Sequence, residues 1–231
     1  ADNGRPFPRA KSHVYESGIL TPFVVHYPKG IKQPGAVCNS VVSIIDLAPT
    51  LLSLAGAKIG ETFQGRSFLN LIENPNARFR TYAFAEHNWH VSEAYERMVA
   101  TDRYLLIENK RPQLPVKSNM TTPTGRDLRA AHENGTATEF QARILAVPQP
   151  EVLLFDRIAD PLQQHDIAAD HPEIVTTLLN VLHRWQDQTD DTVPEYLKPD
   201  RGKEKTANYM DRVEMPGASR GAKTCRNSGP F

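Results

Sequence analysis

An apolar stripe near the far end of the chain most constrains its fold. Ile174, Leu178, Leu179, Leu182 and Trp185 recur every three to four residues, so residues 172–188 read as a helix with one greasy face, and Asp170 is the expected N-cap. A helix of that kind must bury its stripe, and the segments before it supply the cover. Residues 82–86, 95–100 and 103–108 and the run VLLFD at 152–156 read as strands. The middle pair forms a hairpin across a two-residue turn at Thr101 and Asp102. About four antiparallel strands backed by one long helix make an α+β subdomain.

The first third reads differently. TPFVVHY at residues 21–27 is β-branched and aromatic with few charges, as in a buried strand of a parallel sheet, which would make His26 a core residue. In SVVSIIDLAPTLLSLAG, residues 41–45 read as extended. Asp46 is then the N-cap of a helix ending at Gly56, with Leu47, Leu51, Leu54 and Ala55 toward the core. Strand followed by capped helix is an α/β pattern. A short helical turn is expected within 64–76, and helices near 125–133 and 138–146. The fold expectation is therefore α/β at 1–78, a small α+β subdomain at 79–198 and a loosely ordered tail at 199–231, where Gly, Lys, Arg, Asn and Ser dominate.

Charge sets limits on partners. Lys plus Arg and Asp plus Glu number 27 each, so no global field draws the chain to nucleic acid or anionic lipid. No apolar run approaches the length of a membrane span. An anionic substrate must be caught by a local constellation. Cys38 and Cys225 stand outside any zinc or C-x-x-C spacing, and whether they pair stays open at this level.

The chemistry concentrates in Asp2-Asn3-Gly4 and Lys11. A carboxylate beside an amide oxygen offers two hard ligands that suit Ca²⁺, with Mg²⁺ behind it. Lys11 adds a point charge for an anion. Asp-Asn-Gly is also a common turn, so these residues alone do not decide the matter. Glu86-His87-Asn88-Trp89-His90 puts imidazoles, an amide and an indole at a strand end, where His can read sugar hydroxyls and Trp can stack on a ring. Arg97 can take a substrate carboxylate or sulfate, or pair with Glu93 or Glu96. Arg5 and Arg9 are equally ambiguous. His132, His165, His171 and His183 read as solvated, and Asp190-Asp191 as a solvated turn. Asn119 and Asn134 stand in glycosylation acceptor triplets.

The stretch DNGRPFPRAKSHVYESGILTPFVVHYPKGI resembles the segment of sulfatases in which an Asp-Asn pair binds Ca²⁺. The resemblance continues in IIDLAPTLLSLAG, FQGRSFL, YAFAEHNWH, RMVATDRYLLIEN and LFDRIADPLQQHDIA, in chain order over about residues 1–197. Within sulfatases it is strongest toward the heparan N-sulfatase group, through GRDLRAAHENGTATEFQARIL and RWQDQT. The resemblance implies an alkaline-phosphatase-like domain, Asp2 and Asn3 as Ca²⁺ ligands, Lys11 as the catalytic cation on the sulfate, and His87, His90 and Arg97 toward the saccharide. Leu20 stands where many relatives carry Arg. The family's formylglycine arises from Cys or Ser in a [CS]-x-P-x-R context, and no such context occurs in these residues.

The chain thus reads as the C-terminal portion of a larger enzyme that removes sulfate from a sulfated saccharide such as a heparan-type glycan, and as inactive alone. A periplasmic, secreted or lysosomal setting and a homodimer of the longer enzyme are further expectations. Two other readings stand beside it: a phosphoesterase of the same superfamily, favoured by extra His ligands for two transition metals, and a non-catalytic carbohydrate-binding module, favoured by metal-independent sugar binding.

Overall fold

The computed structural model describes residues 2–90, 92–189 and 191. The tail expected at 199–231, Asp190 and Cys225 lie outside the described residues. Four strands form one antiparallel sheet in the order β1-β2-β3-β4: β1 Ala83–Trp89, β2 Glu93–Ala100, β3 Tyr104–Asn109 and β4 Val152–Asp156. Helices α1 (Glu16–Ile19), α2 (Leu47–Leu54) and α3 (Leu69–Glu73) precede the sheet. Helices α4 (Pro123–Glu133) and α5 (Glu139–Leu145) connect β3 to β4, and α6 (Pro172–Thr189) follows.

Period-two alternation splits the sheet residues between two cores. Val99, Leu106 and Leu154 face α6 and meet Leu178, Val181, Leu182 and Trp185. Phe84 stacks on Trp185 with ring centroids 4.9 Å apart. Met98, Leu105, Ile107, Leu153 and Phe155 face the other way, and Val14 and Tyr15 of the N-terminal loop pack on them. Full burial of each large aliphatic side chain is worth about 1.5–3 kcal/mol, so this double-faced sheet is the apolar centre of the molecule.

The hairpin turn sits one residue later than expected. The Thr101 N–H donates to the Tyr104 carbonyl at 2.8 Å, and the Thr101 hydroxyl accepts from the Tyr104 N–H at 2.8 Å. Thr101 therefore closes the ladder, and Asp102 and Arg103 make the turn. At the head of α6, His171 rather than Asp170 stands directly before Pro172.

The expected strand at 21–27 does not form. Its backbone joins no ladder among the described residues, and Val24 is 89% exposed. His26 is exposed rather than core. Apolar composition makes a strand only where a neighbour accepts its N–H groups, and the described residues supply none here. Likewise, Val41 makes only an isolated bridge to Arg80, and a 3-10 turn begins at Ile44.

Asp46 is not a simple N-cap of α2. Its carboxylate accepts from the Ser43 and Arg66 backbone N–H groups, each at 2.9 Å, and from Arg80 Nε at 2.7 Å and Nη2 at 2.5 Å. The fully buried Asp46 thereby ties Ser43 and the 3-10 turn Ile44–Asp46 to Arg66 and Arg80. On α2, Leu47 and Leu54 pack against the buried Phe68, Leu71 and Ile72 as expected, Pro49 and Thr50 bury as well, and Leu51, 55% exposed, and Ala55 face outward.

Candidate functional site

The loop from Asn3 to Gly18 is shaped by close backbone approaches. The Gly4 N–H donates to the Gly18 carbonyl at 2.9 Å, and a side chain on Gly4 would collide with the Ser17 carbonyl. Only glycine fits there. Arg9 and Ser12 adopt positive φ, at 61° and 71°. Such backbone persists only where surroundings hold it, and they do so from both sides. Asn119 Nδ2 donates to the Phe7 and Lys11 carbonyls at 3.2 and 2.9 Å. Gln163 Oε1 accepts from the Glu16 N–H at 2.9 Å, and Arg157 pairs with Glu16. Arg9 lies over the Tyr15 ring at 3.9 Å and donates to the Leu162 and Gln163 carbonyls. Its guanidinium is thereby committed to structure.

The expected ligands sit at the mouth of this loop. Asp2 is exposed and Asn3 half-buried. Asn3 Nδ2 donates to the Gly4 carbonyl at 2.7 Å, which fixes the amide and leaves Oδ1 as an acceptor. A carboxylate and an oriented amide oxygen fit a hard divalent cation, and no trio of His, Cys, Asp or Glu forms around Asp2 among the described residues. Lys11 is half-buried, and its ammonium makes no ion pair among the described residues.

The structure adds a cluster built on β1 and β2. The register pairs His87 with Glu96. Glu96 holds His87 Nδ1 at 3.1 Å and His13 Nδ1 at 3.4 Å, and the two imidazoles meet edge-on at 5.7 Å. One ligand atom from each of the three lies within 4.8 Å of the others. Burial alone would raise the Glu96 carboxyl, but hydrogen bonds and charge attraction from His13 and His87 outweigh it and hold the group down to about 2. It is a carboxylate at any physiological pH. His13 is 8% exposed. Sequence reasoning missed His13, whose available signal was its place two residues before the buried Tyr15.

Arg97 does not face a ligand. It is fully buried, with Nε and Nη2 at 2.5 and 2.7 Å from the Asp191 carboxylate and Nη2 3.6 Å from Glu86. A buried guanidinium needs such partners, so Asp191 is a core counter-ion rather than a solvated turn, and Arg97 is a structural residue. His90 is half-buried beyond the bulge between His87 and Trp89, its N–H donating to the Ser92 carbonyl at 3.3 Å. The Trp89 side chain lies outside what is described. Asn119, read as a glycosylation acceptor, spends its amide on the loop, while Asn134 is exposed. His132 is exposed, and His165, His171 and His183 are open to solvent, as expected.

Comparison with known proteins bears on this arrangement. The C-terminal family model of N-sulphoglucosamine sulphohydrolase matches residues 9–113. An ulvan-active sulfatase of Formosa agariphila is 32% identical over 192 residues, covering 80% of this chain and 31% of that protein. The N-sulphoglucosamine sulphohydrolase of Homo sapiens is 27% identical over 217 residues, covering 87% of this chain and 42% of that one. The chain thus spans about a third to two-fifths of the length of these curated relatives. A solved structure in complex with its substrate D-glucosamine-2-N,6-O-disulfate shares the fold, with TM-score 0.55 and 22% identity over 78% of this chain and 31% of that one. With 32% identity to a curated sulfatase over four-fifths of its residues and a match to the sulphohydrolase family model, the chain belongs to the sulfatase family, near the heparan N-sulfatases.

Proposed function

We propose that this chain forms part of a calcium-dependent sulfatase that removes sulfate, as an ester or an N-linked sulfamate, from a sulfated saccharide such as a heparan-type glycan. The observation that carries the proposal is the clamped loop, which presents Asp2, Asn3 and Lys11 with their ligating atoms uncommitted among the described residues. Asp2 and Asn3 would hold Ca²⁺, which when bound stabilises negative charge on sulfate oxygens. Lys11 places a second positive charge for the oxygens on which charge grows. His87, beside the same loop, is the candidate for the sugar, joined by His90. The nucleophile is expected to be a formylglycine from a segment not among these 231 residues. A periplasmic, secreted or lysosomal setting and a homodimer accompany this reading.

The test is sulfate release from glucosamine N-sulfate and glucosamine 6-sulfate by the polypeptide that carries these residues with a formylglycine segment. Release that stops on calcium chelation, and falls about 10²–10³-fold in Lys11→Ala, supports the proposal. Hydrolysis of phosphate esters in preference to both sulfated sugars would replace it with the phosphoesterase reading.

A further inference from the structure

The His13–Glu96–His87 cluster carries an inference about hydrogen-bond polarity. An ionised carboxylate can only accept hydrogen bonds. Both imidazoles turn Nδ1 toward Glu96, His87 at 3.1 Å and His13 at 3.4 Å. Each Nδ1 must therefore carry its hydrogen, and a neutral ring protonated at Nδ1 has a bare lone pair at Nε2. Both Nε2 atoms are buried, and neither has a hydrogen-bond partner among the described residues. A buried acceptor left without a donor costs about 1–3 kcal/mol, so each of the two marks a place where a donor is to arrive. Lys11 and the loop that holds Asp2 and Asn3 lie in the same stretch of chain as His13.

We propose that Glu96 locks His13 and His87 in the Nδ1–H tautomer, and that their Nε2 lone pairs accept hydrogen bonds from hydroxyl or sulfamate N–H groups of a sulfated amino sugar. The identity of the ligand rests on the sulfatase reading, whereas the tautomer lock does not. Glu96 is here a positioning residue. The inference brings His13 into the site and gives His87 a defined role as an acceptor.

The experiment is long-range ¹H–¹⁵N NMR of the histidine rings in the whole chain at pH 8, assigned through His13→Asn and His87→Asn. In the unaltered protein, both rings should show a protonated Nδ1 and a lone-pair Nε2. Glucosamine N-sulfate should move both Nε2 resonances, and inorganic sulfate should leave them in place. Glu96→Gln, which removes the negative charge and replaces one acceptor oxygen with a donor NH₂, should loosen the lock and leave at least one ring in a mixture of tautomers. A protonated Nε2 on either ring of the unaltered protein overturns the lock, and needs no variant to fold. Resonances that ignore the sugar overturn the acceptor site. So does an equimolar Zn²⁺ titration that captures both rings more tightly than the sugar does, which would make the trio a metal site. If the sulfate-release assay succeeds while the Nε2 signals stay still, only this proposal falls. If the sugar moves the signals but no sulfate is released, the sulfatase activity falls instead.

Discussion

Two apolar runs of similar character meet opposite fates in this molecule. VLLFD at 152–156 becomes β4, with Leu154 fully buried, whereas TPFVVHY at 21–27 stays unpaired, with Val24 89% exposed. Composition is not the difference. β4 finds β3 on one side and α6 and the Val14–Tyr15 loop across its two faces, while residues 21–27 find no strand among the described residues. Residues 43–80 have a smaller apolar cluster of their own, Phe68, Leu71 and Ile72 with Leu47 and Leu54 packed against it, and the Asp46 hub with Arg80, Arg66 and Ser43 adds polar geometry to it.

The comparison can be broken at its polar end first. Asp46→Ala removes the buried carboxylate that Arg80, Arg66 and Ser43 share, and should cost about 3–5 kcal/mol in urea unfolding. A loss below 1 kcal/mol would show that the hub is ornamental. Leu182→Ala removes the fully buried centre of the α6 contact and should cost about 2–5 kcal/mol by the same measurement.

A smaller effect comes from Glu96. Its folded-state carboxyl titrates near 2 against an ordinary 4.5, so between these values the unfolded chain binds more protons and stability rises with pH. The stabilisation is present above about pH 4.5 and is lost as pH falls toward 2. The gap in unfolding free energy between the unaltered protein and Glu96→Gln should therefore narrow from pH 6 to pH 3, and a constant gap would contradict the depressed carboxyl. The smallest effect belongs to the unpaired run: Val24→Thr should change stability by no more than about 0.5 kcal/mol, as at an ordinary surface position.

Legibility in the sequence followed the range of the interactions. The α6 stripe, the hairpin and β4 were readable because helix and strand periodicity is local, and Val152–Asp156 was bounded correctly. The turn slipped by one residue because Thr101 uses its hydroxyl to close the ladder, a choice that residue type does not dictate. Arg97 was misread because its partner, Asp191, lies 94 residues away. The cluster was half legible: hairpin register brings Glu96 opposite His87, but only tertiary packing delivers His13 to the same carboxylate. Asp2, Asn3 and Lys11 were singled out through family likeness. Their loop's clamps at Asn119 and Gln163 were not, since each joins segments more than 100 residues apart.

The anchoring of that loop through Val14 and Tyr15 has an experimental corollary. Ligand capture at its mouth and integrity of the sheet beneath it share one set of contacts, so substitutions deep in the sheet will masquerade as binding defects in any assay run at a single temperature. Affinities measured across a thermal series would separate the two, because a damaged foundation shows itself as an early collapse of binding on warming, while a damaged ligand lowers it evenly throughout.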